Sequence, residues 1–549
     1  MCAKYSCNAT TSNEQNLNNF HLRGTSLGGW LVLEPWITPS LFYQFLGKTS
    51  TYGDDAYQHI AIDSYTFCTA LGSAEANRQL RQHWKTWVDE AQILNLSRIG
   101  VETLRIPIGD WMFIPYYPYI GCWDGSLDEL NRVLALCAKH NIKVILDIHA
   151  MKMSQNGLDN SGDTGDYDWF RSGTALNGRR ESFYRHWDIR GGNWAGQFNV
   201  TTHKYDSFNK SHIDESLHLV DLILDRYRNN SVVIGLEPLN EPWWFIPIDE
   251  LKDFYWQAYN RVQSKAPHWI TLLHDSFRLE PSVFGGEWMK NCANWAMDTH
   301  LYQAWSDAVA LADHISMACA SGSHLELMES LGIPIIVGEW SLAFDNCAMW
   351  INGFNDNVPG FPKVACQRVS CPAPYMGQDQ PGAPPPSNSD IDTMDPRGSG
   401  GDSFVINGTC PVSGLIDLNA SHIKSFGLAQ LRVFDRSTHG NFFWNFRTEL
   451  EPLWDYQAAV QRNWLPRDWD YDSADGKAVE VACSTFAPKR FVSIYGSSER
   501  FIVVLMMFAA VAMTIHRLAS SLRHCDAGFR GFVLGYENIP SESESQIQL

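Results

Sequence analysis

The chain has 549 residues, of which 45% are apolar and 13% aromatic, with 22 Trp. Such a length allows one large core with additional segments. A net charge of −19 argues against nucleic acid or an anionic lipid surface as the main partner and is compatible with a neutral polymer.

Residues 1–20 are polar and read as a loose segment. Met1 to Cys7 shows no apolar stretch of the kind found in a signal sequence. Seven N-x-S/T sequons, at Asn8, Asn95, Asn199, Asn209, Asn229, Asn407 and Asn419, accompany 13 Cys. Together they fit a secretory-pathway chain. The two observations agree if the native start differs from the given one. The alternative, a tail-anchored protein facing the cytosol, leaves cysteines and sequons in a reducing compartment. No CxxC pair with a matching His set is present, which argues against structural zinc.

From Leu22 to Ser26 a pattern of strands alternating with amphipathic stretches begins. Further strand-like runs are Thr103–Pro107, Lys143–Ile148, Val232–Glu237, Trp269–His274, Asn294–Thr299, Ile333–Val337 and Gly440–Trp444, which makes eight. Helix-like stretches fall between them, among them Leu127–His140, Ile213–Arg228, Leu251–Ser264 and Ile423–Ser437. Alternating units predict a parallel sheet. Eight of them predict an α/β fold, a closed (β/α)8 TIM barrel with enlarged loops, over residues 21–485. A doubly wound open sheet is the alternative, but no Gly-rich phosphate loop follows the first strand. Residues 372–403 are rich in Pro, Gly, Ser and Asp and cannot bury enough surface to fold. Cys366, Cys371 and Cys410 flank this insert, so a disulfide could pin its base. Residues 486–500 read as a juxtamembrane linker and 501–519 as a single transmembrane helix. The uncharged part of that run ends at Ile515, and its extension requires Arg517 to snorkel. A tail follows at 520–549. Charges on either side of the span give little orientation.

Glu241 and Glu339 follow the fourth and seventh strand runs. A carboxylate at the C-terminal tip of a barrel strand points into the mouth, and two from different strands suffice to cleave a glycosidic bond. Glu241, within Asn240-Glu-Pro242, is the expected general acid, its pKa raised by burial and by a neighbouring negative charge. Asn240 is placed to bond a sugar 2-OH. Glu339, in Gly338-Glu-Trp-Ser341, is the expected nucleophile. Arg105 lies inside a strand, where a charge is costly unless paired, and pairing with Glu339 would keep the nucleophile ionised. His149, His300 and Tyr302 end strand runs. One such His is often only a satisfied core residue, whereas two at one mouth suggest a shell of hydrogen bonds to substrate. Trp444 ends the eighth run, where its ring could floor a sugar site. No cofactor or metal is required.

These motifs resemble family 5 glycoside hydrolases, and most of all the exo-β-1,3-glucanases of fungal cell walls. The resemblance runs from Arg23 to about Tyr456. It includes Arg23-Gly-Thr-Ser-Leu-Gly-Gly-Trp30, Arg105-Ile-Pro-Ile-Gly109, Gln155-Asn-Gly-Leu-Asp-Asn-Ser-Gly162, Leu239-Asn-Glu-Pro242, His300-Leu-Tyr-Gln303, Gly338-Glu-Trp-Ser341 and Phe443-Trp-Asn-Phe446. It implies Glu241 and Glu339 as the catalytic pair. It implies Glu34, Arg105, His149, Asn160, Asn240, His300, Tyr302 and Trp444 as sugar-binding residues. A leaving-group clamp aromatic of that family is Leu158 here, and the loop before it is Ala150-Met-Lys-Met-Ser154, so the outer subsite departs from the pattern. The expected activity is release of glucose from non-reducing ends of β-1,3-glucan with retention. Glucan transglycosylation, hydrolysis of other β-glucosides and non-catalytic glucan binding are the alternatives. The expected form is a monomer at the cell surface, with an extracellular catalytic domain and a membrane anchor at 501–519.

Overall fold

The computed structural model describes residues 22–45, 58–163, 192–199, 201–306, 311–344, 420–449, 451–467 and 473–484, together with Tyr5–Cys7 and a few isolated positions. Eight parallel strands close into a barrel. They are β1 (Leu22–Ser26), β2 (Thr103–Gly109), β3 (Lys143–Ala150), β4 (Val233–Glu237), β5 (Ile270–His274), β6 (Trp295–Leu301), β7 (Ile335–Trp340) and β8 (Gly440–Phe443). Closure is made by β1, which pairs with β2 through Gly24 and Thr103 and with β8 through Leu22 and Gly440. The (β/α)8 expectation holds for the described residues, and each strand lies within a few residues of its predicted run.

The helices form because apolar residues recur at helical spacing. Helix Ser126–Lys139 buries Leu130, Val133, Leu134 and Cys137, the i, i+3, i+4, i+7 stripe of an amphipathic helix. Helix Ile248–Lys265 carries Asp249 and Glu250 in its first turn and Lys265 in its last, complementing the helix dipole. Both stripes pack on the outer barrel wall within one large apolar cluster.

The inside of the barrel is layered. Leu22, Ile145, Ile270, Leu272, Ala296, Ile336 and Phe442 form a separate apolar plug. Side chains alternate along a strand, so residues two further on face the same interior. On β3 that continues Ile145 with Asp147 and His149, and on β6 it continues Ala296 with Asp298 and His300. The apolar plug is therefore overlain by a fully buried charged layer, and the mouth lies above it.

Three disulfides join distant segments: Cys7–Cys292, Cys68–Cys122 and Cys319–Cys483. Residues 1–20 were expected to be loose, but Tyr5–Cys7 are tied down. Besides the disulfide, Ser6 bridges Lys290 and the Tyr5 hydroxyl donates to Asp253 at 2.6 Å. Among the described residues no helix is long and apolar enough to cross a membrane. The expected span at 501–519, its linker at 486–500, the tail at 520–549, and the insert at 372–403 with its flanking cysteines lie outside the described residues.

Candidate active site

Glu339 sits on β7, while Glu241 lies four residues beyond the end of β4. The intervening turn is held by the Asn240 N–H, which donates to the Ile148 carbonyl at 3.0 Å. Glu241 itself has φ +43°, a left-handed conformation that costs a non-glycine residue about 1 kcal/mol. That strain is sustained by the contacts at its carboxylate. His300 Nδ1 is 2.7 Å from Oε1, and Asn160 Nδ2 donates to Oε2 at 2.9 Å. The same His300 Nδ1 is 3.4 Å from Glu339 Oε2. One imidazole nitrogen thus touches both acids, so their nearest oxygens lie no more than about 6 Å apart, short of the separation typical of an inverting pair.

Arg105 on β2 is fully buried and forks across the barrel. Its Nε donates to Glu237 at 2.9 Å, Nη1 to Glu339 at 2.8 Å and Nη2 to Asn240 at 2.7 Å. Nη1 also lies 3.2 Å from Asp147. The expected Arg105–Glu339 pair is present. The Tyr302 hydroxyl donates to Glu339 Oε2 at 2.7 Å. His149 contacts Asp147 through Nδ1 at 2.6 Å and stacks on Trp444, with centroids 5.3 Å apart and planes 6° from parallel. Gln155 donates to the carbonyls of both His149 and Asn240, which locks the β3 loop to the β4 turn. Glu34 accepts from Trp36 Nε1 at 3.0 Å, but its Oε1 is buried with no partner among the described residues.

The charges do not distribute as expected. Burial pushes Glu241 up, yet the hydrogen bond and charge of His300, with help from His149 and Asn160, outweigh it and leave Glu241 below its ordinary value. Glu339 moves the other way: burial raises it, His300 and Arg105 pull it down, the Glu241 charge adds to the rise, and it ends above its ordinary value. The expected elevation of Glu241 is thus corrected. The physical reason is His300, 59 residues away in sequence, whose charge and hydrogen bond at Oε1 favour the carboxylate form of Glu241. Glu34 is raised well above the carboxylate range, by burial first and then by the charges of Asp159, Glu339 and Glu241. A buried carboxyl in that state has use for an incoming hydroxyl.

Every sequence-identified site residue joins one constellation: Glu34, Arg105, His149, Asn160, Asn240, Glu241, His300, Tyr302, Glu339 and Trp444. Asp147, Glu237 and Asp298 join them, although in the sequence each shows only as a residue that ends or interrupts an apolar strand run. An aromatic wall, unmarked in the sequence, stands beside Glu34. There Trp36 meets Trp454 edge-on at 5.0 Å, and Trp454 lies 5.1 Å from Tyr302. Trp305 packs at 6.1 Å from Trp454.

Asp110 follows β2 and accepts from the Lys152 N–H at 2.7 Å, anchoring the β3 loop. Burial pushes its carboxyl up to about 7 against the hydrogen bonds it accepts. An acid harder to ionise when folded than when unfolded, near 3.9, makes the fold lose stability as pH rises between those values. Chemical denaturation should therefore show a contribution of up to about 4 kcal/mol lost from pH 4 to pH 7. In Asp110→Asn that slope should be reduced. Parallel pH curves for the two proteins would assign the titration elsewhere.

A family model described as cellulase, glycosyl hydrolase family 5, matches residues 68–356. The glucan 1,3-beta-glucosidase of Blumeria graminis is 30% identical over 485 residues, covering 86% of this chain and 91% of the relative. A probable glucan 1,3-beta-glucosidase A of Emericella nidulans is 30% identical over 455 residues, covering 81% and 90%. The crystal structure of a rutinosidase from Aspergillus niger superposes with a TM-score of 0.54 at 17% identity, covering 82% of this chain and 99% of that one. This last similarity bears on the fold alone.

Proposed function

Because this chain belongs to glycosyl hydrolase family 5, we propose that its barrel mouth is a retaining β-glucosidase-type site that releases glucose from non-reducing ends of β-1,3-glucan. The observation that carries the reading is the shared imidazole: two glutamates from different strands meet at His300 Nδ1. Their proximity supports a retaining rather than an inverting pair.

In the first step Glu339 attacks the anomeric carbon while Glu241 gives a proton to the departing glycosidic oxygen, whose bond electrons leave with it. In the second, Glu241 takes a proton from water, and the resulting oxygen displaces Glu339 from the anomeric carbon. Arg105 and Tyr302 donate to Glu339 and so favour its carboxylate form. Asn240, already oriented by Arg105, is placed for the 2-OH. The unsatisfied oxygen of Glu34 and the Trp36–Trp454 wall beside it support a terminal glucose rather than a chain running through. Trp444, held flat by His149, supports stacking on a sugar face.

The β-1,3 linkage rests on the names of the curated relatives, and Leu158 in the outer loop leaves other β-glucosides as the second reading. Digestion of linkage-defined oligosaccharides, followed by NMR of the first product formed, tests both. Laminari-oligosaccharides should yield β-glucose one unit at a time. An α-anomer would overturn retention, a ladder of longer products would indicate transfer to sugar, and faster release from β-1,4 oligomers would move the substrate class. The barrel with its polar insert constitutes the catalytic domain, and the apolar run at 501–519 would anchor it at the outer face of a membrane. The sequons and the three disulfides support that compartment.

A further inference from the structure

Beneath the two glutamates lies a group of polar atoms that the double displacement leaves unused. Asp298 precedes His300 by two residues on β6, so both face the interior. Asp298 Oδ1 accepts from the Gly338 N–H at 2.6 Å. A Cβ at Gly338 would come within 2.0 Å of Asp298 Oδ2, so the carboxylate occupies space that only glycine leaves open. Oδ2 then lies 3.5 Å from His300 Nε2. Among the described residues, Asp298 Oδ2, His300 Nε2 and Glu237 Oε1 have no hydrogen-bond partner, and one ring nitrogen of His300 and one carboxylate oxygen each of Asp298 and Glu237 lie within 4.8 Å of one another. The imidazole is thus set between the acid pair at Nδ1 and a buried carboxylate floor at Nε2.

Resting on the assignment of Glu241 as acid and base, we propose that Asp298 is a positioning residue for the proton step, fixing His300 so that its Nδ1 supplies the proton Glu241 delivers. Burial alone would strip His300 of its second proton. The charges of Glu339 and Asp298, the latter facing Nε2 at 3.5 Å, and the hydrogen bond to Glu241 reverse this and raise the imidazole well above its usual range. The other groups facing it are Glu237 at the end of β4 and His274 on β5, whose ring lies 4.3 Å away edge-on. Burial and the His300 charge push His274 well below its usual range, so it stays neutral and leaves the proton with His300. Arg105 is turned to Glu237 and Glu339, His149 to Asp147, and Asp275 accepts from Thr299.

The step balances. In the free site His300 is the cation and Glu241 the carboxylate. The Nδ1 proton passes to Glu241 Oε1, leaving a neutral imidazole, and Glu241 passes it to the glycosidic oxygen as the C–O bond breaks. After hydrolysis of the glycosyl ester, the proton that Glu241 took from water returns to Nδ1. Asp298 takes no proton in this sequence and faces Nε2 at both ends of the cycle.

The test is Asp298→Asn, which keeps an oxygen for the Gly338 N–H and removes the charge. With phenyl β-glucoside, whose leaving group needs protonation, kcat/KM should fall about tenfold to a hundredfold. With 2,4-dinitrophenyl β-glucoside, whose leaving group does not, the loss should stay under about threefold. The high-pH limb of kcat/KM should move down by about one pH unit or more. Equal losses on both substrates, or an unmoved limb, overturn the proposal. ¹⁵N spectra of the unsubstituted protein should show both His300 nitrogens protonated at neutral pH, and a neutral ring overturns the proposal even if the variant does not fold. Full turnover by Glu241→Gln would instead sink the underlying acid assignment, so the two failures are distinguishable.

Discussion

Glu339→Ala should lower hydrolysis of β-glucosides by about 10⁵-fold with little change in melting temperature. The fold is expected to survive because Arg105 retains Glu237, Asp147 and Asn240 as acceptors. Only the Tyr302 hydroxyl loses its acceptor, and it lies at the mouth, where water can replace the carboxylate. Chemistry stops because the group that forms the glycosyl ester is gone. Azide should restore turnover in Glu339→Ala and give the α-glucosyl azide, since a small anion then attacks directly with Glu241 still acting as acid. Glu241→Gln should lose about 10³-fold on phenyl glucoside and much less on the dinitrophenyl substrate. In Glu241→Ala azide should give the β-azide through the intact ester. Exchange of the two azide anomers between the variants would reverse the roles assigned to the glutamates, and unaltered turnover in either would remove the pair from the chemistry.

The strands were legible because their apolar runs are bounded by charged or turn residues, and the mouth was legible because polar residues repeatedly close those runs. His149, Asn240, His300 and Glu339 could be placed there by position alone. The charged layer was harder to see. Asp147 and Asp298 each sit one step below a mouth histidine, where alternation along an isolated strand assigns a face but not an environment. Only closure of eight strands makes that face a sealed interior, and only then does Arg105 acquire four partners from three other segments. The state of Glu241 was hidden for the same reason: burial can be guessed from sequence, whereas the donor that overrides it arrives from β6. Tyr5–Cys7 could not be distinguished from the polar stretch around it, because the cysteine that holds it lies 285 residues away. The wall of Trp36 and Trp454 comes from two loops, where no periodicity marks a buried ring.

Arg105→Met should destabilise the protein by about 3–5 kcal/mol, read as a lower urea midpoint with an unchanged slope. The loss follows less from the removed attraction than from what remains. Asp147, Glu237 and Glu339 are buried around one cation, and without it their desolvation is uncompensated. Glu237 is already raised well above its ordinary value, by burial first and then against the pull of Arg105, with Asp298 and Asp147 adding to the rise. Removing Arg105 should push Glu237 and Glu339 further up. A larger share of the nucleophile would then be protonated, and the low-pH limb of kcat/KM should move upward. Arg105→Lys keeps the charge but not the fork, so it should serve Glu339 or Glu237 but not both, with an intermediate loss. The decisive variant combines Arg105→Met with Glu237→Gln and Asp147→Asn. If the single loss reflects stranded carboxylates, neutralising two of them should recover a large part of the stability while activity stays low, because Glu339 still lacks the Arg105 charge and keeps only the Tyr302 hydroxyl as donor. If the triple variant is no more stable than Arg105→Met, the arginine supports the barrel through packing across its interior rather than through charge.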